Sequence, residues 1–347
     1  MRELLYVPLS WLYSMAVNFR HRLFDWGVLK SEQFDIPIIC IGNITVGGTG
    51  KTPMAEMLIS YLKRKHCVAL LSRGYGRRTK GYREVQVDAH YRDVGDEPLQ
   101  IKRKFPDTVV VVCEKRVEGI RRIREEHPEV NLIVMDDGFQ HRYVQPKINV
   151  LMVDSTRPIQ TDKMLPAGSL RDNPEQLYRA HYFVVTKCPE KMAPIDRRIL
   201  RKVLVKYAYQ RIYFTRFETF SPQPVFPTES GLIPLKQRGK VIALSGIGNP
   251  KPFLSTLKSN YQVVEEVTLK DHHVYRVRDM HLLAELLKRH PGSVIVTTEK
   301  DAVKMGRKDK IPAEVRRSLY YVPIDITFIE DSATDFLQKI EEDVRSN

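Results

Sequence analysis

Between Ile38 and Thr52 the chain reads Ile-Ile-Cys-Ile-Gly-Asn-Ile-Thr-Val-Gly-Gly-Thr-Gly-Lys-Thr, and this segment constrains the fold more than any other. A short apolar strand runs into a glycine-rich loop, the loop closes on Gly-Lys-Thr, and a helical pattern follows. A phosphate-binding loop needs that order of elements. Glycines let successive amides turn inward, and the positive end of the following helix strengthens the field offered to an anion. The expected contacts for ATP are Thr45, Val46, Gly47, Gly48, Thr49, Gly50, Lys51 and Thr52. Lys51 is expected over the β- and γ-phosphates and the Thr52 hydroxyl on Mg²⁺. Pro53 suits a first helical turn, where no backbone donor is missed. Thr45 stands where the usual G-x-x-x-x-G-K-T spacing has its first glycine.

A site of this kind takes a second Mg²⁺ contact from an acid at the end of a neighbouring buried strand. Leu132-Ile133-Val134-Met135-Asp136-Asp137 offers one, with Asp136 as the ligand. Further near-continuous apolar runs at Ile36–Gly42, Cys67–Ser72, Thr108–Cys113, Ile148–Val153 and Tyr182–Thr186 read as parallel strands covered on both faces. Met54, Met57, Leu58, Tyr61 and Leu62 recur at helical spacing between the first two. The class is therefore α/β, with a doubly wound, mostly parallel sheet of the P-loop NTPase type.

After Phe214 the character shifts to Phe, Thr, Pro and Gln, and a second alternation starts at Val241. Strands are expected at Val241–Ser245, Gln262–Val267, Ser293–Thr297 and Tyr320–Ile324, with helices from about Pro252 and over Asp279–Arg289. The expected division is an N-terminal helix (1–30), the phosphate-loop domain (31–212), a β-type linker (213–240) and a smaller α/β domain (241–347). A cleft between two such domains is the default place for a site.

Charge narrows the partner. Among 347 residues, 56 Lys+Arg against 42 Asp+Glu leave a formal charge of +14. Such an excess favours nucleic acid, an acidic membrane surface or a phosphorylated substrate. No zinc-finger, homeodomain or RNP-type aromatic pattern accompanies the basic residues, so nucleic acid is not expected. Cys40, Cys67, Cys113 and Cys188 stand far apart with no metal spacing and no disulfide framework, which points to a reducing cytosolic face.

From Leu4 to Val17 the chain is almost wholly apolar and aromatic, and it continues through Arg20 and Arg22 to Trp26. The run is too short for a transmembrane helix and Pro8 interrupts it. It also lacks the layout of a signal peptide. Two readings stand on the residues: a helix lying in the bilayer interface, or a helix packed on the protein's own core.

Four further clusters bear on the phosphoryl acceptor: Ser72-Arg73-Gly74-Tyr75-Gly76-Arg77, Gly95-Asp96-Glu97-Pro98, Asp136-Asp137-Gly138-Phe139-Gln140-His141 and Leu165-Pro166-Ala167-Gly168-Ser169-Leu170-Arg171. With these the sequence resembles the tetraacyldisaccharide 4′-kinases of lipid A biosynthesis. Their phosphate loop has the form G-N-x-x-V-G-G-T-G-K-T-P, matched from Gly42 to Pro53. Thr186-Lys187-Cys188, Asp271-His272 and Thr298-Glu299-Lys300-Asp301-Ala302-Val303-Lys304 also fall in the family's order. Ser169 and Asp172 depart from it, where proline and glutamate are usual.

The resemblance implies transfer of the ATP γ-phosphate to the 4′-hydroxyl of an acylated glucosamine disaccharide 1-phosphate. It implies a monomeric enzyme, peripheral or monotopic on the cytoplasmic face of the bacterial inner membrane. An anionic glycolipid substrate accounts for the basic charge, and the membrane favours the interfacial reading of Leu4–Trp26. The implied base is Asp96 paired with His272, with His273 beside it as the alternative. Glu97 joins the Mg²⁺ site, and Asp137, Gln140 and His141 lie near it or near substrate. Arg73, Arg77 and Arg171 hold anionic oxygens and Tyr75 lies under the sugar or an acyl chain. Two other classes fit parts of the pattern: a P-loop ATPase switch with Gly-Gly-x-Gly-Lys-Thr, and a non-catalytic membrane-associated binding module. The first leaves Gly95-Asp96-Glu97-Pro98 and the apolar N-terminus unexplained, and the second expects function to survive Lys51→Ala.

Overall fold

The computed structural model describes residues 2–271, 273–305 and 308–346. The first half contains α1 (Arg2–Asp25), β1 (Ile38–Gly42), α2 (Lys51–Leu62), β2 (Val68–Ser72), β3 (Arg83–Glu84), α3 (Tyr91–Val94), α4 (Asp96–Lys104), β4 (Val109–Val112), α5 (Arg116–Glu126), β5 (Leu132–Asp136), β6 (Ile148–Asp154) and β7 (Tyr182–Thr186). Then follow α6 (Pro194–Leu204), β8 (Arg211–Thr219), β9 (Gln223–Pro224), β10 (Lys240–Ser245), α7 (Lys251–Asn260), β11 (Gln262–Thr268) and α8 (Val277–Arg289). The chain ends with β12 (Val294–Thr298), α9 (Glu299–Lys304), α10 (Ala313–Ser318), β13 (Leu319–Val322), β14 (Ile324–Phe328) and α11 (Ala333–Arg345).

Among the described residues the large sheet has nine strands in the order β14-β8-β7-β6-β1-β5-β2-β4-β3, parallel except at its two edges. The central strands are wholly buried, as their unbroken Ile, Val and Leu runs require. On one face, Ile39, Ile41, Leu70, Val134 and Val150 pack with Met54, Leu58, Ile59 and Leu62 of α2 and with Phe336 and Ile340 of α11. The other face is covered by α5 over Ala69, Leu71 and Ile133, and by α6 over Phe183, Val185 and Ile212. The smaller sheet runs β11-β10-β12-β13-β9 and supports its own core around Ile242, Leu244, Leu283 and Ile295.

The domain boundaries differ from the sequence expectation. The apolar run Tyr320–Ile324 is two strands, because Pro323 ends one and offers no N–H to continue a ladder. β13 stays with the small sheet, whereas β14 pairs antiparallel with β8 at the edge of the large one. α11 then buries Phe336 at 5.1 Å from the Tyr213 ring. Residues 324–345 therefore belong to the large domain, and most of the expected linker's first stretch is β8. The crossing segment reduces to 220–239, in which β9 joins the small sheet.

The domains meet where α4 lies against α9. Arg103 donates to the Val303 carbonyl at 3.4 Å, and Lys104 sits 2.6 Å from Glu56 and 3.9 Å from Glu299. Burial, then the charge of Glu56, pushes the Glu299 carboxyl up to about 7. An acid with a raised native pKa binds more protons folded than unfolded. Stability therefore falls as pH climbs from the unfolded value of 4.5 through about 7. Glu299→Gln is expected to add roughly 2 kcal/mol of unfolding free energy near pH 8 and about nothing near pH 4, read from denaturant melts at both.

The N-terminal helix has one face packed on the protein and one face exposed. Inward, the Ser10 hydroxyl accepts from the Ala167 amide at 2.9 Å and the Tyr13 hydroxyl donates to the Arg171 carbonyl at 3.1 Å. His21 bonds the fully buried Asp172 at 2.7 Å. Outward, Trp11, Leu12, Met15 and Phe19 are exposed, Trp11 by 71%. Among the described residues no helix is long and apolar enough to cross a membrane.

Candidate active site

The phosphate loop takes the shape its glycines permit. Gly47 and Gly50 have φ of 102° and 89°, a region costly for side-chain-bearing residues. A Cβ on Gly50 would also stand 2.6 Å from the Phe217 ring. Among the described residues the amides from Gly47 to Thr52 donate to no backbone carbonyl, as expected at a helix N-terminus built to receive an anion. Val46 departs from expectation, because its amide donates to the Ser169 carbonyl at 2.8 Å. Thr45 bridges to Leu170 and is buried, and Arg157 donates to the Val46 carbonyl at 3.1 Å. The 163–171 loop thus closes one side of the nest, and the nest itself starts at Gly47.

Lys51 rests 3.5 Å from Asp137 and 3.3 Å from the Asn43 side-chain oxygen. Arg171 bonds the same two groups, one of its contacts to Asp137 spanning 3.1 Å. Burial opposes charge on Asp137, but the Arg171 bonds and the Lys51 charge hold its carboxyl down to about 2. Arg171 and Asp137, expected on substrate, instead form the floor under Lys51. Asn43 was not among the expected residues, although it stands second in the G-N opening of the loop.

Asp136 ends β5 at 3% exposure, with one oxygen 3.3 Å from the Ser72 hydroxyl and the other buried without a hydrogen-bond partner among the described residues. Burial, then the charges of Glu97 and Asp137, pushes its carboxyl up to about 7. A buried carboxylate with an idle oxygen and two acidic neighbours fits a divalent cation. Among the described residues no set of three His, Cys, Asp or Glu side chains could hold a metal by itself. That suits Mg²⁺, which keeps waters and nucleotide phosphates in its shell. Arg116, also missed, is 2% exposed and braces the Asp136 carbonyl at 3.1 Å.

The second acidic pair reaches the site through a close backbone approach. Gly95 has φ 94°, and a Cβ there would meet Gly74 at 3.2 Å, so the Ser72–Arg77 loop and the start of α4 lie against each other. Asp96 is buried, with its carboxylate accepting from the Glu97 amide at 3.0 Å. Glu97 bonds Lys300 at 3.1 Å, and both Lys300 and Lys304 stand 3.9 Å from Asp96. These two lysines carried no role in the sequence reading, although both lie in the Thr298–Lys304 cluster. His272 lies outside the described residues. His273 is engaged elsewhere, 3.0 Å from Asp279.

The remaining expected contacts scatter. Arg73 and Tyr75 are exposed at the mouth, Tyr75 by 71%. Gln140 donates to the Asn43 carbonyl at 2.8 Å and so steadies the loop. Burial, aided by Arg116, Arg20 and Arg73, lowers the His141 pKa to about 4 and keeps the ring neutral. Arg77 does not face substrate: its guanidinium is buried against Glu114 at 2.6 Å and the Gly81 carbonyl at 2.5 Å. It closes the glycine-rich loop on itself.

Comparison with known proteins bears on this arrangement. A family model described as tetraacyldisaccharide-1-P 4′-kinase matches residues 2–343. A protein of Phocaeicola vulgatus named tetraacyldisaccharide 4′-kinase is 40% identical over 347 residues, covering 98% of this chain and 94% of its own length. One of the same name from Flavobacterium johnsoniae is 35% identical, covering 99% of this chain and 98% of its own. The crystal structure of LpxK from Aquifex aeolicus in complex with ATP superposes with a TM-score of 0.76 at 25% identity, over 99% of this chain and 100% of that one.

Proposed function

This chain belongs to the tetraacyldisaccharide-1-P 4′-kinase family, and from that premise we propose that it moves the γ-phosphoryl group of ATP onto the 4′-hydroxyl of a tetraacylated glucosamine disaccharide 1-phosphate. The observation that carries the reading is a phosphate nest ending in Lys51 beside two acidic pairs, Asp136–Asp137 and Asp96–Glu97: Lys51 lies 3.5 Å from Asp137, and the charges of Lys51 and Glu97 both act on Asp136.

Phosphoryl transfer runs through a loose transition state, so the protein's work is positioning and charge neutralisation. The amides from Gly47 to Thr52 hold the phosphate chain, and Lys51 turns from Asp137 towards the transferring group. Thr52, Asp136 and Glu97 would hold Mg²⁺, which when bound would neutralise charge on the phosphates. Asp96 accepts the proton of the attacking 4′-hydroxyl as that oxygen bonds to phosphorus. Arg73 and Tyr75 flank the mouth through which an anionic sugar enters. Incubating the purified protein with ATP, Mg²⁺ and the disaccharide lipid is expected to yield a lipid one phosphoryl group heavier by mass spectrometry. Release of inorganic phosphate alone would favour an ATPase switch.

The exposed apolar face of α1 supports peripheral attachment of a monomer to a membrane surface, on the side where ATP is available. Its inner face grips Arg171, Asp172 and Ala167, so the same helix joins the bilayer to the wall of the site. Trp11 and Leu12 cover apolar area that an interface would bury, at about 25 cal/mol per Å². Replacing both with glutamate is expected to weaken sedimentation with anionic vesicles by roughly tenfold or more, with folding kept because neither side chain packs inward. Unchanged sedimentation would remove α1 as the anchor.

A further inference from the structure

The large domain carries the nest, Mg²⁺ ligands and base, and the small domain sends two cations to them. Lys300 and Lys304 both project from α9, one turn apart, towards the N-terminus of α4. Lys300 bonds Glu97 at 3.1 Å and lies 3.9 Å from Asp96. Lys304, its side chain 1% exposed, bonds Asp301 at 3.0 Å, approaches the Gly246 carbonyl at 3.4 Å and lies 3.9 Å from the same Asp96 oxygen.

Burying an ammonium is costly unless anions surround it. For Lys300 burial works against the charge, and Glu97, Asp96 and Asp271 more than restore it. Asp301 is already engaged by the Gly246 amide at 2.8 Å and the Thr298 hydroxyl at 2.7 Å. Beside Asp271 of the small domain, the anions that act on Lys300 are Glu97 and Asp96, both on α4 in the other domain. The rest of α4 is tied to α9 as well, through Arg103 to the Val303 carbonyl and Lys104 near Glu299. The helix that presents both carboxylates is thus the helix the small domain holds.

We infer that Lys300 and Lys304 are positioning residues for the transfer: from the small domain they set where the Asp96 and Glu97 carboxylates stand, so the reaction depends on the docking of α9 against α4. The inference rests on the reading of Asp96 as the base.

The test is steady-state kinetics on the full chain with Mg²⁺·ATP and the disaccharide lipid in micelles. Lys300→Gln is expected to lower kcat by about a hundredfold, the scale of an ångström-sized misplacement, while KM for ATP changes by less than about twofold. Lys300→Arg, long enough to restore the bridge, is expected to recover kcat to within about fivefold of the parent. Lys304→Met is expected to lower kcat likewise. Should it fail to fold, because it strands Asp301, the Lys300 pair decides alone. The inference is overturned if Lys300→Gln turns over normally, if it raises KM for ATP with kcat unchanged, or if arginine restores nothing. Asp96→Asn measured alongside separates the claims. A normal rate there sinks the base, whereas a slow Asp96→Asn beside a normal Lys300→Gln sinks only the positioning role.

Discussion

Lys51→Ala is expected to lower phosphoryl transfer by about a thousandfold or more, the largest effect of any single side chain in the site. Two losses combine. The cation over the transferring phosphates disappears, and with it the charge that develops there goes uncompensated. Asp137, half-buried and held down to about 2 by Arg171 and Lys51, also loses one of its cations. A less fully neutralised carboxylate then faces the incoming triphosphate. ATP binding should weaken as well, which calorimetry with Mg²⁺·ATP would register beside the transfer assay. Near-normal transfer by a folded Lys51→Ala protein would remove the nest from the chemistry.

Asp96→Asn is expected to lower kcat by roughly a hundred- to ten-thousandfold, the usual range for a positioned general base, with ATP affinity within about twofold. The amide is nearly the same shape and keeps an oxygen for the Glu97 amide, so α4 should start where it does now. What it cannot do is take a proton. Asp96 stands on α4 and not in the 47–52 loop, which is why binding and turnover should separate here and not at Lys51. A rate close to the parent's would leave the hydroxyl's proton to another group or to solvent.

Much of this is legible in the sequence. Strands expected at Ile36–Gly42, Ile148–Val153 and Tyr182–Thr186 appear within two residues of those bounds, because continuous apolar runs between turn signals are a local property. The nest was legible for the same reason: glycines, lysine and the following helix all lie within one short stretch. Arg77 was misplaced because an arginine in a glycine-rich loop looks the same whether it turns outward or folds back on Glu114. Val46 was miscast because only the 163–171 loop, far along the chain, takes its amide. The domain boundary failed at Pro323, where one apolar run serves two sheets.

By itself the sequence determined the phosphate loop, the α/β class and the acidic strand end, since each depends on spacing between near neighbours. Tertiary structure decided which charges meet. Lys300 reaches Glu97 across 203 residues, and Arg171 bonds Asn43 across 128. Such pairings follow from strand order and the chain's return from the small domain to the large sheet. No periodicity records them, because an ion pair is selected by where the crossover ends and by how little water remains there.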